Sequence, residues 1–234
     1  MTPADELLVR VWVWDLDIDA QTAETLSDWL SEDERKRAAA FATLHLQRRW
    51  TAARAGMRGI LGSLLKVPPK NAQFGLGQHG RPYLSGPESP YSFNLSHSNA
   101  LAAFAVCEAE VGVDVEQIKA LPEGVAGMVF SQREIDALAE TPDEARALKF
   151  FQFWTAKEAV LKALGTGLGV SGRSFTIDLS EDAKPRLANA DWAGGEAGSW
   201  QLLAFDPEPG FAGAVAVRTE RPVRLSLNRW TFSL

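Results

Sequence analysis

A mixed α/β fold is what this sequence predicts, and three observations predict it. The chain opens on alternating side chains, it carries two long proline-free helical stretches, and it repeats a pattern of strand, polar turn and small-residue strand. In residues 8–16, Val9, Val11 and Val13 alternate with Arg10, Trp12 and Trp14, which is the period of a strand with one buried face. From Thr22 to Leu65 no proline occurs, and Ser31 followed by Asp33 and Glu34 marks a helix start, because a serine cap satisfies free amides and acids suit the positive helix end. At least two helices are expected there. Glycines and prolines between Gly75 and Pro90 then interrupt regular structure.

Residues 91–95 and 101–107 read as strands joined by the polar turn Ser96-His97-Ser98-Asn99, and residues 111–116 read as a third strand. The helical pattern resumes near Ser131. It is strongest over 145–164, where Phe150, Trp154, Lys157, Leu161 and Leu164 recur at helical spacing and Gly165 is placed to end the helix. Residues 174–179, 201–205, 212–217 and 225–231 read as strands, and 182–199, with Gly194, Gly195 and Gly198, as the loosest loop. The hairpins at 93–106 and 202–217 suit either two related halves meeting near 108–112 or two unrelated hairpins.

Composition narrows the function. The 234 residues hold 24 Lys and Arg against 30 Asp and Glu, a net charge of −6, which excludes a general affinity for nucleic acid or anionic membrane. An anionic ligand then needs a local basic pocket. The single cysteine, Cys107, forms no internal disulfide, the start shows no secretory pattern, and the apolar runs fall short of the roughly 18–20 residues of a membrane span. A cytoplasmic protein is expected.

Three clusters carry chemistry. In Val111-Gly112-Val113-Asp114-Val115-Glu116 the valines share one face and Gly112, Asp114 and Glu116 the other, so two carboxylates project side by side. Such a pair suits Mg²⁺, which takes one or two carboxylates plus waters and phosphate oxygens, and equally suits a solvated strand face. On a helix, Glu158 and Lys162 are neighbours, either a base beside a phosphate clamp or an ordinary surface ion pair. Ser96-His97-Ser98 offers anion donors or a plain polar turn. No Gly-x-Ser-x-Gly elbow and no cluster of histidine and cysteine supports a serine hydrolase or a zinc site.

The order of the pieces is more specific than any one of them. Phe93-Asn94-Leu95-Ser96-His97-Ser98, then Val111 to Glu116, then Phe130-Ser131-x-x-Glu134, then Trp154-x-x-Lys157-Glu158-Ala159-x-x-Lys162-x-x-Gly165 resembles the 4′-phosphopantetheinyl transferases of the larger, monomeric, surfactin-synthetase-activating type. The resemblance is dense from Gly80 to Gly169, with a looser echo at Leu30 to Arg37 and Phe41. It implies transfer of the phosphopantetheine arm of coenzyme A to a serine of an apo carrier domain of a fatty-acid, polyketide or nonribosomal-peptide synthase. Mg²⁺ is the implied cofactor and adenosine 3′,5′-bisphosphate the released product.

By motif position, Asp114, Glu116 and Glu134 would hold the metal. Glu158 would take the serine proton, and Lys162 would bind a phosphate. Ser96, His97, Arg49 and Arg81 would face the nucleotide. The implied fold is a pseudo-dimer of two similar α/β halves, 1–108 and 109–234, each a small, mostly antiparallel sheet with packed helices, the second carrying the metal and catalytic motifs. A monomer is implied. The competing reading is a non-catalytic module that binds coenzyme A or a carrier domain, and the presence of Asp114, Glu116 and Glu158 together speaks against it.

Overall fold

The computed structural model describes residues 6–77, 82–84, 89–121, 124–165, 169–179, 184–190 and 197–232. The first half runs β1 (Leu7–Asp15), α1 (Ala20–Ser27), α2 (Glu32–Ala39), α3 (Leu44–Leu65), β2 (Phe74–Leu76), β3 (Pro82–Leu84), β4 (Ser92–Ser98) and β5 (Leu101–Cys107). The chain continues through β6 (Val111–Gln117), α4 (Val125–Val129), α5 (Gln132–Ala139), α6 (Asp143–Leu164), β7 (Phe175–Leu179), β8 (Pro185–Ala190), β9 (Trp200–Phe205), β10 (Phe211–Arg218) and β11 (Val223–Arg229).

Two sheets stack face to face. The first is four-stranded, in the order β11-β1-β5-β4, and the second three-stranded, in the order β6-β10-β9. All pairings in them are antiparallel except β1 with β11. Strand alternation explains the layers. Val9, Val11 and Val13 of β1 and Ala103 and Ala105 of β5 meet Val111, Val113 and Val115 of β6 and Val215 and Val217 of β10 between the sheets. On the outer face of the first sheet, Trp14, Phe93, Ala102 and Phe104 pack on Ala52, Ala53, Met57 and Ile60 of α3. On the outer face of the second, Ala212, Ala214 and Ala216 pack on Ala156, Ala159, Val160 and Ala163 of α6. Each sheet thus carries one helix of 22 residues, and this is the mixed α/β architecture of two similar halves. Among the described residues no helix is long and apolar enough to cross a membrane.

The halves share a smaller device as well. Ser31 and Glu34 form a capping box at the start of α2, and Ser131 and Glu134 form another at the start of α5. In each, the glutamate is buried and tied to the long helix of its half. Glu34 binds Arg54 and Arg58 of α3 at 2.8 and 2.6 Å, and Glu134 binds Lys157 of α6 at 2.9 Å.

Three sequence expectations need correction. Ser96, His97 and Ser98 belong to β4 rather than to a turn; the reversal is made at Asn99, whose φ of 51° an asparagine tolerates. Residues 185–190, read as loop, form β8 and pair with β7. Its proline stands at the strand's first residue, where no ladder amide is required. β11 does not stay in the second half: it runs parallel to β1, with Val9 opposite Leu225 and Val11 opposite Leu227.

β4 and β6 join the two sheets without backbone pairing. Side chains of β4 accept the amides of β6 instead: Ser92 Oγ from Val111, Asn94 Oδ1 from Val113 and Ser98 Oγ from Gln117. Polar alternation on β4 is therefore a ladder of side chains that satisfies the edge of its neighbour.

Candidate active site

β6 turns its valines into the core between the sheets, so Gly112, Asp114 and Glu116 face the other way. Gly112 lets α6 lie directly on the strand, because a Cβ there would overlap the Ala159 carbonyl oxygen and crowd the Ala163 amide. Gly165, at φ 64°, ends the helix just beyond. The approach of α6 brings Lys162 onto Asp114.

Three elements meet at that point. Lys162 Nζ lies 2.6 Å from Asp114 Oδ1 and donates to Ser96 Oγ at 2.8 Å. Ser96 in turn donates to the same Asp114 oxygen at 2.8 Å. Asp114 is 3% exposed, and burial drives its carboxyl up to about 6, with Glu116 adding to the rise and Lys162 and Ser96 opposing it. Its second oxygen, Oδ2, is buried with no hydrogen-bond partner. Beside it, Ser98 donates to Glu116 Oε2 at 2.5 Å.

Glu158 and His97 feel the same field. Burial pushes the half-buried Glu158 carboxyl above its ordinary value, Lys162 pulls against that, and Glu116 adds to the rise. His97 is exposed to solvent on one side, yet the protein around it and Lys162 both push its imidazole down, while Glu116 opposes them. Arg49 reaches the end of β4 through Asn99 Oδ1, at 3.0 Å, and is held from the other side by Asp17 at 2.6 and 2.9 Å. Ser96, Asp114 and Lys162 are therefore in direct contact at the β4, β6 and α6 junction, with Glu116 next along β6, and His97 and Glu158 lie within the field of Lys162 and Glu116. Arg81 lies outside the described residues.

Glu134, expected as a metal ligand, does not join them in this structure. Its Oε2 accepts the Ser131 amide at 2.7 Å and pairs with Lys157 at 2.9 Å, and its Oε1 accepts the Ile177 amide at 2.7 Å. Both oxygens are engaged in holding α5 and β7 to α6. Lys157, 3% exposed, also donates to the Gly172 and Phe175 carbonyls, each at 2.6 Å. It points away from the Glu158 and Lys162 face, as its position one residue off that face requires.

Ser98 reads from sequence as an anion donor and Asn94 as part of a motif, neither as a partner of β6. The signal for both was present: polar residues at every second position of β4 meet β6 at a constant offset, Ser96 on Asp114 and Ser98 on Glu116. Read as a turn, the segment hides that alternation.

The oxygens present fit a hard divalent cation. Among the described residues no three His, Cys, Asp or Glu side chains converge as a ready-made metal cluster. Two adjacent carboxylates with a buried, unpartnered Asp114 Oδ2 do match the needs of Mg²⁺, which completes its shell with water and phosphate oxygens. A buried acceptor without a donor is costly unless a cation or donor arrives.

Known proteins resemble this chain closely enough to compare. A family model described as the 4′-phosphopantetheinyl transferase superfamily matches residues 110–216. The 4′-phosphopantetheinyl transferase HetI of Nostoc sp. is 36% identical over 215 residues, covering 89% of this chain and 87% of its own. The 4′-phosphopantetheinyl transferase psf-1 of Bacillus pumilus is 33% identical over 168 residues, 72% of each chain. Among solved structures, the holo-[acyl-carrier-protein] synthase of Thermotoga maritima is 25% identical, covers 50% of this chain and 64% of its own, and has a TM-score of 0.39.

Proposed function

The chain belongs to the 4′-phosphopantetheinyl transferase superfamily, and on that premise we propose that it moves the 4′-phosphopantetheine arm of coenzyme A to a serine of an apo carrier domain, with Mg²⁺, releasing adenosine 3′,5′-bisphosphate. The observation that supports this most is the junction where Ser96 and Lys162 meet on Asp114 Oδ1, all within 2.8 Å, and leave Asp114 Oδ2 unpartnered. We propose 1–108 and 109–234 as the two halves, the second lending its last strand, β11, to the sheet of the first, with the site on their meeting line.

Asp114 and Glu116 are the residues to hold the metal, which when bound neutralises charge on the pyrophosphate of coenzyme A. Glu158, at the same junction, accepts the proton of the carrier serine as its Oγ forms a bond to phosphorus and the phosphorus–oxygen bond to the adenosine bisphosphate breaks. A carboxyl raised by burial is better matched to that role than an exposed one. Lys162 carries a compact positive charge beside Asp114, where it can bind a phosphate oxygen. Ser96, His97 and Arg49, with Arg81, serve the nucleotide end; two of Arg49's five donors remain after Asp17 and Asn99 take three.

We place the protein in the cytoplasm as a monomer acting on carrier domains of fatty-acid, polyketide or nonribosomal-peptide synthases. The test is to incubate it with coenzyme A, Mg²⁺ and a panel of apo carrier domains and read intact masses. A gain of one phosphopantetheine arm on at least one carrier, abolished by EDTA, is expected. Modification at full rate in excess EDTA contradicts the metal assignment, and no modification of any carrier contradicts the activity.

A further inference from the structure

We propose that Ser98 is a positioning residue of the cation site, fixing Glu116 so that one chosen oxygen, Oε1, is presented to the metal. This rests on the reading of Asp114 and Glu116 as the magnesium ligands. A hydroxyl has one hydrogen to donate, and Ser98 Oγ already accepts the Gln117 amide at 3.2 Å. Its hydrogen is therefore directed to Glu116 Oε2, at 2.5 Å. Oε1 has no hydrogen bond among the described residues.

Ser96 repeats the arrangement one strand repeat earlier. It accepts from Lys162 at 2.8 Å and donates to Asp114 Oδ1 at 2.8 Å, which leaves Oδ2 without a partner. Two serines on β4 thus hold two acids on β6 by one oxygen each and leave the other oxygen of each for a cation. The remaining rungs of the ladder, Ser92 and Asn94, meet the Val111 and Val113 amides of β6 rather than its acids. The difference matters because a glutamate is a long side chain with several free torsions, half-buried here, and an unheld carboxylate must be ordered when the metal binds. Hydrogen-bond partners of metal-binding side chains contribute to affinity for that reason, and losing one costs about 10–100-fold.

The experiment uses the full chain saturated with coenzyme A. Mn²⁺ is titrated in by calorimetry for the wild type, Ser98→Ala, Ser98→Cys, Ser98→Thr and Ser92→Ala, and the Mg²⁺ concentration for half-maximal transfer is measured on each. Ser98→Ala should weaken Mn²⁺ about 10–100-fold and raise the Mg²⁺ requirement by the same factor, with kcat at saturating Mg²⁺ retained. Ser98→Cys, a weak donor of nearly the same shape, should follow it and stands in should the alanine variant fail to fold. Ser98→Thr, which keeps the hydroxyl, and Ser92→Ala, which removes a rung away from the acids, should bind Mn²⁺ as the wild type does. Unchanged Mn²⁺ affinity in Ser98→Ala and Ser98→Cys overturns the inference, as does an equal loss in Ser92→Ala, which would make the ladder merely structural. A wild type that binds no Mn²⁺ and transfers the arm in EDTA overturns the metal reading itself, and this inference with it.

Discussion

Helix α6 carries two pairs of ammonium and carboxylate, Lys157 with Glu134 and Lys162 with Asp114, and they are built to different ends. In the first, both carboxylate oxygens are engaged, by the Ser131 and Ile177 amides and by Lys157, and both side chains are nearly fully buried. In the second, one oxygen holds Lys162 and Ser96 while the other has no partner, and the lysine is 28% exposed. A buried pair with every hydrogen bond made is scaffold, since breaking it leaves an uncompensated charge. A buried acid left one partner short has a stabilising interaction still to make, and such incompleteness marks a place where a ligand belongs. The first half of the molecule supports the distinction. Its twin of Glu134 is Glu34, capped by Ser31 and clamped by Arg54 and Arg58 in the same way.

The largest effect that sharpens the contrast is chemical. Glu158→Gln keeps the shape and removes the proton acceptor, so turnover should fall by about 10²–10⁴-fold while the unfolding midpoint and coenzyme A affinity stay near the wild type. Near-normal turnover would remove Glu158 from the chemistry. Next is Lys157→Ala, which strands Glu134 inside the protein and should cost about 3–5 kcal/mol in denaturant unfolding. A cost below about 1 kcal/mol would put this pair among exposed ones and erase the contrast.

The smallest effect concerns Glu34. Burial alone would raise its carboxyl, but the Ser31 amide with Arg54 and Arg58 outweighs that and holds it below its ordinary value of 4.5. A depressed acid stabilises the fold above its unfolded value and loses that contribution as pH falls through the lowered one. Stability should therefore drop as pH falls below 4.5, and Glu34→Gln should flatten that part of the curve. An unchanged slope in the variant would show that the clamp does not favour the ionised carboxylate.

Much of this was legible in the sequence. Period-2 valines announced β1, Gly165 and the apolar spacing announced α6, and the alternation of Val111 to Glu116 put Asp114 and Glu116 on one face as found. Motif order brought together six residues from three segments of the chain, Ser96 and His97, Asp114 and Glu116, and Glu158 and Lys162, that then share one field. The capping role of Glu134 was not read, because motif order says which residues recur, not which atoms are already engaged; the repeated Ser-x-x-Glu at Ser31 and Ser131 was the available clue to it. Ser96-His97-Ser98 is made of residues that favour turns, yet the strand wins because their side chains satisfy β6, a long-range partner that local pattern does not contain. The return of β11 to β1 is topology of the same kind.

One paired measurement bears most directly on the difference between the two pairs. Asp114→Asn and Glu134→Gln are each unfolded in denaturant at pH 7.5 or so without metal, and each is titrated with Mn²⁺ in the presence of coenzyme A. Asp114→Asn removes a buried carboxylate whose ionisation the fold resists, so its unfolding midpoint should not fall, while Mn²⁺ binding is lost. Glu134→Gln should lower the midpoint by breaking a buried, fully bonded pair, and the fraction that remains folded should bind Mn²⁺ as the wild type does. The reverse pattern, with Asp114→Asn unstable but binding Mn²⁺ and Glu134→Gln stable but blind to it, would mean that scaffold and metal site have been exchanged.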